Sequence, residues 1–275
     1  MIDLTGQTVA ITGAAQGVGL AIARACADEG MNIALIGSAQ SKFKMESIIA
    51  SLKDSTGNEN IAFYQVDLLS EESIKQVLET IYDEFEALDV LINNASVILP
   101  GQVQNVLTEH YDLMHQINMR APYILSKTAA PLMIQSAQTL EGVVPQIINI
   151  APPLNLDPKC LGQFLPYTSS RYMLSMYTIG MAEEFKNQIT VNALWPKCPI
   201  DANDSCDIIA GTYEKIDSGK RHPNIMASSV IKLLAYADYE KTGEFVIDEE
   251  LLKEFQEDLT VYQNKGDALQ KETFC

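Results

Sequence analysis

The chain has 275 residues, 47% hydrophobic and 20% charged, enough apolar material for a buried core and far from the profile of a disordered chain. Its 36 acidic residues against 19 lysines and arginines leave a formal charge of -17. A surface that negative repels phosphate backbones and anionic lipid heads, which excludes nucleic acid as an expected partner.

Short apolar runs alternate with longer helix-spaced patterns from end to end, the rhythm of repeated βαβ units. The expectation is a single α/β domain over residues 1–275: a Rossmann-type, doubly wound, mostly parallel seven-stranded sheet with helices on both faces. In chain order the strands are predicted at Thr8–Thr12, Asn32–Ile36, Ala62–Val66, Val90–Asn93, Ile147–Ile150, Thr190–Leu194 and Phe245–Ile247. Helices are predicted from Gly17, Gln40, Ser70, Leu107, Tyr167 and Pro223, with Ile74, Val77, Leu78 and Ile81 the clearest apolar face. The linker-like stretch Asp54-Ser-Thr-Gly-Asn-Glu-Asn60 is too short to divide domains, and residues after about Tyr262 read as a loosely held tail.

The cysteines Cys26, Cys160, Cys198, Cys206 and Cys275 form no CxxC pair and no cluster with histidine, which predicts reduced thiols and no metal site. His110 and His115 are five apart and share no helical face, and His222 reads as a loop residue. No basic-then-apolar leader opens the sequence, and no apolar run approaches the roughly 20 residues that span a bilayer. A cytoplasmic protein without membrane insertion is expected.

Directly after the first strand stands Thr12-Gly-Ala-Ala-Gln-Gly-Val-Gly19, followed by a helical pattern. Gly13 allows a sharp turn, Gly17 lets backbone reach a pyrophosphate, and Gly19 lets the helix pack closely, while the helix N-terminus offers N–H groups to an anion. Such a turn also occurs for tight packing alone. Asp67 follows the third strand and Asn93-Asn-Ala-Ser96 the fourth, at the strand ends where open α/β sheets bind ligands.

Together these residues resemble the short-chain dehydrogenase/reductase family: TGxxxGxG, an aspartate after the third strand, and NNAG with Ser96 in place of its glycine. The resemblance implies a cofactor cleft formed by Gly13, Ala15, Gln16, Gly17, Val18, Gly19, Ser38, Asp67, Leu68, Asn94, Ala95, Tyr167, Arg171 and Pro196, with Asn93 at its edge. Asp67 also reads as a helix N-terminal acid. After the second strand, Ile36-Gly-Ser-Ala-Gln40 lacks the acid that holds an NAD ribose, whereas Ser38, Lys42 and Lys44 could meet a 2′-phosphate. NADP is therefore expected, with NAD possible; Gln16 stands where the family usually has a basic residue, and the two lysines also read as solvated helix charges.

The resemblance further implies catalytic roles for Tyr167, Arg171 and Asn118. In the family a tyrosine moves the proton, a lysine four residues on supports it and holds the ribose, an asparagine anchors a water relay, and a serine orients the carbonyl. Residues i and i+4 share a helix face, and a nearby cation lowers a phenol from about 10 towards the useful range. Here Tyr167-Thr-Ser-Ser-Arg171 carries arginine for the lysine, keeping the charge but not the ammonium's donor geometry. Ala151-Pro-Pro-Leu-Asn155 has no hydroxyl where the serine belongs; Asn155 is a candidate replacement donor, and Ser169 and Ser170 read as capping or packing residues.

The likeness runs along nearly the whole chain through Pro152-Pro-Leu-Asn-Leu156, Met176-Tyr, Gly180-Met-Ala-Glu-Glu-Phe-Lys186, Val191-Asn-Ala-Leu-Trp-Pro-Lys197 and Phe245-Val-Ile-Asp-Glu249. These strings resemble a branch of the family whose longer members carry a C-terminal sterol-carrier domain, which these residues do not include. By the family pattern, Pro196 to Pro223 would cover the substrate, with Lys197 in place of a glycine. Ile208, Ile209, Tyr213, Leu161, Phe164 and Leu165 suggest a small, fairly apolar carbonyl or alcohol, or else an ordinary surface helix. Met173, Met176, Tyr177 and Met181 suggest a homo-oligomer, dimer or tetramer, though burial within one monomer explains them as well. Two readings follow: NAD(P)-dependent hydride transfer at an atypical site, or a dinucleotide-binding sensor or partner subunit without turnover.

Overall fold

The computed structural model describes residues 1–99, 101–139, 142–201 and 220–263, apart from the side chains of residues 160 and 163. The elements run β1 (Thr8–Thr12), α1 (Gly17–Asp28), β2 (Asn32–Gly37), α2 (Lys42–Thr56), β3 (Ile61–Gln65), α3 (Glu71–Phe85), β4 (Val90–Asn93), α4 (Thr108–His115), α5 (Ala121–Thr139), β5 (Gln146–Ile150), α6 (Pro158–Glu184), β6 (Thr190–Trp195), α7 (Asn224–Ala235), β7 (Phe245–Ile247) and α8 (Asp248–Glu254). All seven strands pair in parallel in the order β3-β2-β1-β4-β5-β6-β7, the expected doubly wound Rossmann arrangement.

Strand residues alternate between two buried faces, as a parallel sheet covered on both sides requires. Val9 and Ile11 pack with Ile22 and Cys26 of α1, Val230 and Leu234 of α7, and Leu52 of α2. Ala10, Leu91 and Val191 point the other way, onto Leu78 of α3, Leu125 of α5 and Met181 of α6. The direction in which successive strands are added reverses between β1 and β4, and at such a switch point the two outgoing loops part to open a crevice at the strands' C-terminal ends.

Three local features depart from expectation. Helix α6 starts at Pro158, well before Tyr167: Asp157 accepts the Lys159 N–H at 2.8 Å as a cap, and Pro158 suits a helix's first turn. The same helix passes Pro166 with a kink at Phe164 (φ -142°, ψ 38°). Between α4 and α5, residues 116–120 form a π-helical turn, a feature frequent at functional sites. The acidic Asp248-Glu-Glu250 run opens the short α8, where no helix was expected. Residues 264–275, the expected tail, and Ile208, Ile209 and Tyr213 lie outside the described residues. Among the described residues no helix is long and apolar enough to cross a membrane.

Candidate active site

The glycine turn is held by its neighbour across the switch point. Thr12 Oγ1 accepts the backbone N–H groups of Asn94 and Ala95 at 3.0 Å each and donates to the Ile92 carbonyl at 3.2 Å. The Asn94 side chain returns the contact, donating to the carbonyls of Thr12 at 2.9 Å and Gly13 at 3.3 Å. This closeness needs missing side chains: a Cβ on Gly13 (φ +68°) would sit 2.9 Å from Ala95 Cα, and one on Gly19 only 2.5 Å from the Gly13 carbonyl oxygen and 2.6 Å from Asn94 Nδ2. Gly19 thus serves the seam between the β1 and β4 loops, and Asn94 is the clamp across it.

Helix α1 opens beside this turn. Gln16 makes no side-chain cap bond, and no acidic residue stands in the first turn. Helix α3 shows the contrast, since Ser70 accepts the Ser73 N–H and Glu71 and Glu72 answer the helix dipole. An uncapped N-terminus behind a glycine cradle fits a phosphate group.

Towards β3, Asp67 is exposed; its Oδ1 accepts the Leu69 N–H at 3.0 Å while Ser73 Oγ accepts the Asp67 N–H. It therefore serves locally as a turn acid, and Leu68 beside it is half-buried. Past β2, Ser38 is exposed and its hydroxyl donates to Gln40 Oε1 at 3.4 Å; Lys42 and Lys44 are exposed on α2.

Across the crevice, Tyr167 is half-buried on α6 and Arg171 follows one turn later, only 5% exposed. The Arg171 Nη2 donates to the Ile150 carbonyl at the end of β5, whereas Nε and Nη1 have no hydrogen-bond partner among the described residues. Burial pulls the guanidinium's pKa down, and the adjoining Tyr167 phenol partly restores it. The π-helical turn brings in buried Asn118, whose Oδ1 accepts the Val97 N–H at 2.7 Å and whose Nδ2 donates to the Val97 carbonyl and Ser170 Oγ at 2.8 and 3.0 Å. Ser170 in turn donates to the Tyr167 carbonyl at 2.7 Å, a packing role. Asn118 thereby ties the β4 exit to the helix carrying Tyr167.

The segment after β5 is fixed without a hydroxyl. Asn155 Oδ1 accepts the Asp157 N–H at 2.8 Å, closing a turn inside the loop. Tyr172 Oη accepts the Asn155 N–H and donates to the Asn155 carbonyl, both at 3.0 Å. Tyr172 had no motif to announce it; its one signal was an aromatic residue one step beyond the Tyr167-Arg171 pair.

Asp248 was also missed, although it repeats the pattern of Asp67, an acid at a strand's C-terminal end. Its Oδ1 accepts the N–H groups of Lys197 at 2.9 Å and Glu249 at 2.6 Å, fastening the stretch after β6 that contains Pro196. Burial, only partly offset by those bonds, pushes its carboxyl up to about 6. Next to it Arg221 is buried and gives Nε and Nη2 to Glu249 Oε1 at 2.9 and 2.7 Å. The α6 methionines divide: Met181 is core, whereas Met176 is 62% and the neighbouring Ile179 54% exposed. Among the described residues no three His, Cys, Asp or Glu side chains gather as a metal would need.

A family model described as short chain dehydrogenase matches residues 7–200. The chain belongs to this family. It is 38% identical to hydroxysteroid dehydrogenase-like protein 2 of Homo sapiens over 98% of its own length, and spans 64% of that relative. Among solved structures, a proposed dehydrogenase of Xanthomonas campestris superposes with a TM-score of 0.85 at 28% identity, covering 100% of this chain and 99% of the other. A short chain dehydrogenase of Burkholderia cenocepacia crystallised with NADP shares the fold at a TM-score of 0.74 and 21% identity, covering 89% and 97%.

Proposed function

We propose that this short-chain dehydrogenase binds NADP, or NAD less favourably, along the crevice between β1 and β4. It would exchange hydride between the nucleotide and the carbon of a small, fairly apolar carbonyl or alcohol. The observation that carries this reading is the pairing of a clamped glycine cradle and uncapped α1 N-terminus with the Tyr167-Arg171 pair on the crevice's other wall. The Burkholderia relative was crystallised with NADP, and no acid after β2 opposes a 2′-phosphate here.

The cradle of residues 13–19, with Ala15, Gln16 and Val18 between the glycines, would hold the diphosphate, while Ser38, Asp67 and Leu68 lie towards the adenosine and Asn94, Ala95 and Pro196 border the other end. The bound nucleotide supplies or takes up the hydride. Tyr167 Oη gives or receives the proton at the substrate oxygen, and Arg171 supports it by charge and offers donors to the ribose. A guanidinium does not deprotonate, so Arg171 cannot pass a proton onward as a lysine ammonium can. Asn118 positions rather than relays through its amide, because both amide atoms are engaged. The outward Met176 and Ile179 favour a homo-oligomer, and the scattered cysteines a cytoplasmic setting.

Ala151-Pro-Pro-Leu-Asn155, without a hydroxyl and with Asn155 turned into its own loop, favours a second reading in which the nucleotide is bound but not turned over. A panel of ketones and aldehydes assayed with NADPH separates the two. The native chain should reduce at least one, and Arg171→Lys should raise turnover about tenfold, within the range general acid–base groups contribute. Binding without turnover in the native chain, restored by the lysine, would establish the sensor reading instead.

A further inference from the structure

Buried arginines are treated in two ways in this fold. Arg221 is neutralised, with Nε and Nη2 both on Glu249. Arg171 is as deeply buried, yet no carboxylate among the described residues pairs with it; its contacts are the Ile150 carbonyl and the Tyr167 phenol, and Nε and Nη1 remain unpartnered. A guanidinium cannot relieve this by losing its proton, so a full positive charge stands uncompensated where the dielectric is low.

That charge lies at one known end of the crevice. The glycine cradle follows β1 and Asp67 follows β3, so a dinucleotide with its diphosphate on the cradle and its adenosine towards β3 extends its nicotinamide end towards β4 and β5, where Arg171 meets Ile150. The oxidised nicotinamide ring carries a positive charge and the reduced ring carries none. Outside that ring the two forms are chemically identical.

We infer that Arg171 makes the site discriminate between redox states, holding the reduced nucleotide in preference to the oxidised one. This rests on the nucleotide reading above and deepens it: the chain is poised for carbonyl reduction if it turns over, and reports the reduced pool if it does not. The charge acts across the short distance to the ring without any direct contact, so it provides the choice while the cradle provides the affinity.

The test is calorimetric titration of the full chain with NADPH, NADP+ and 2′,5′-ADP, which lacks the nicotinamide. The native chain should bind NADPH on the order of tenfold or more tightly than NADP+, as expected for like charges held close in a partly buried site. Arg171→Gln, which keeps hydrogen-bonding capacity without charge, should bring the two within about twofold, and Arg171→Lys should keep the preference at neutral pH. Equal affinities in the native chain, or an unchanged ratio in Arg171→Gln, overturn the inference. Should the glutamine variant not fold, the native ratio decides alone. If none of the three ligands binds, the nucleotide reading falls and this one with it; if 2′,5′-ADP binds and the two redox forms bind equally, only this inference falls.

Discussion

Where β1 turns into α1, polar groups are paired: Thr12 answers three backbone partners, Asn94 answers two, and the turn is locked to the β4 loop. Where β5 hands over to α6, they are not. Arg171 Nε and Nη1 and Ser175 Oγ are buried and, among the described residues, unpartnered. The side-chain clamp of the first wall is complete without a ligand, as the support of a rigid turn should be; the second wall leaves buried donors and a charge without partners among the described residues. The difference teaches where individuality resides. On the proposed reading, a cradle built from backbone and glycines would recognise a diphosphate, whereas the choice of redox state, substrate and turnover would fall to the few side chains around Tyr167.

Breaking the complete wall should have the largest effect. Gly19→Val would place a side chain where even a Cβ meets backbone at 2.5 Å, and should destabilise the fold by about 3 kcal/mol or more and abolish NADPH binding, read by thermal melting and fluorescence titration. Retained binding would show that the seam is not the cradle's support.

Next in size is Asp248, which anchors the stretch bordering the second wall. The folded chain holds its proton more tightly than the unfolded chain does, so its contribution is full below about pH 3.8 and is lost as pH rises through about 6. The native chain should lose about 2 to 3 kcal/mol relative to Asp248→Asn between those limits, with no further divergence above them. Urea midpoints across pH 4 to pH 8 (about that span) check this, and parallel curves would contradict it.

Asn94→Ala removes both clamping donors and should cost about 2 kcal/mol, weakening NADPH binding roughly tenfold with little change in overall shape. Tyr172→Phe frees the loop after β5 and should cost only about 1 kcal/mol, but amide exchange at Leu154 to Asp157 should accelerate while α6 stays protected. Faster exchange throughout α6 would mean that Tyr172 supports the helix rather than the loop.

Much of this architecture was legible before any coordinates. Buried parallel strands read as continuous apolar runs, and the glycine turn after Thr12 needs positions where no side chain fits, so β1, β4 and that turn fell where expected. What escaped depends on tertiary context. The helix was expected only from Tyr167 because local rules cannot foresee that a kink at Phe164 joins an earlier helical turn from Pro158 to it. The π-helical turn carrying Asn118 has no periodic signature, and Asp248 is raised by burial that only the packing of β6, β7 and α7 creates. Arg171 was visible as a substitution, but its lack of a counter-ion among the described residues was not.

The most direct test of the account is a fluorescence titration of the native chain with NADPH. Saturable binding with micromolar affinity, lost in Gly19→Val, is the result expected from a diphosphate seated on residues 13–19. A folded native chain that leaves millimolar NADPH unbound would contradict it.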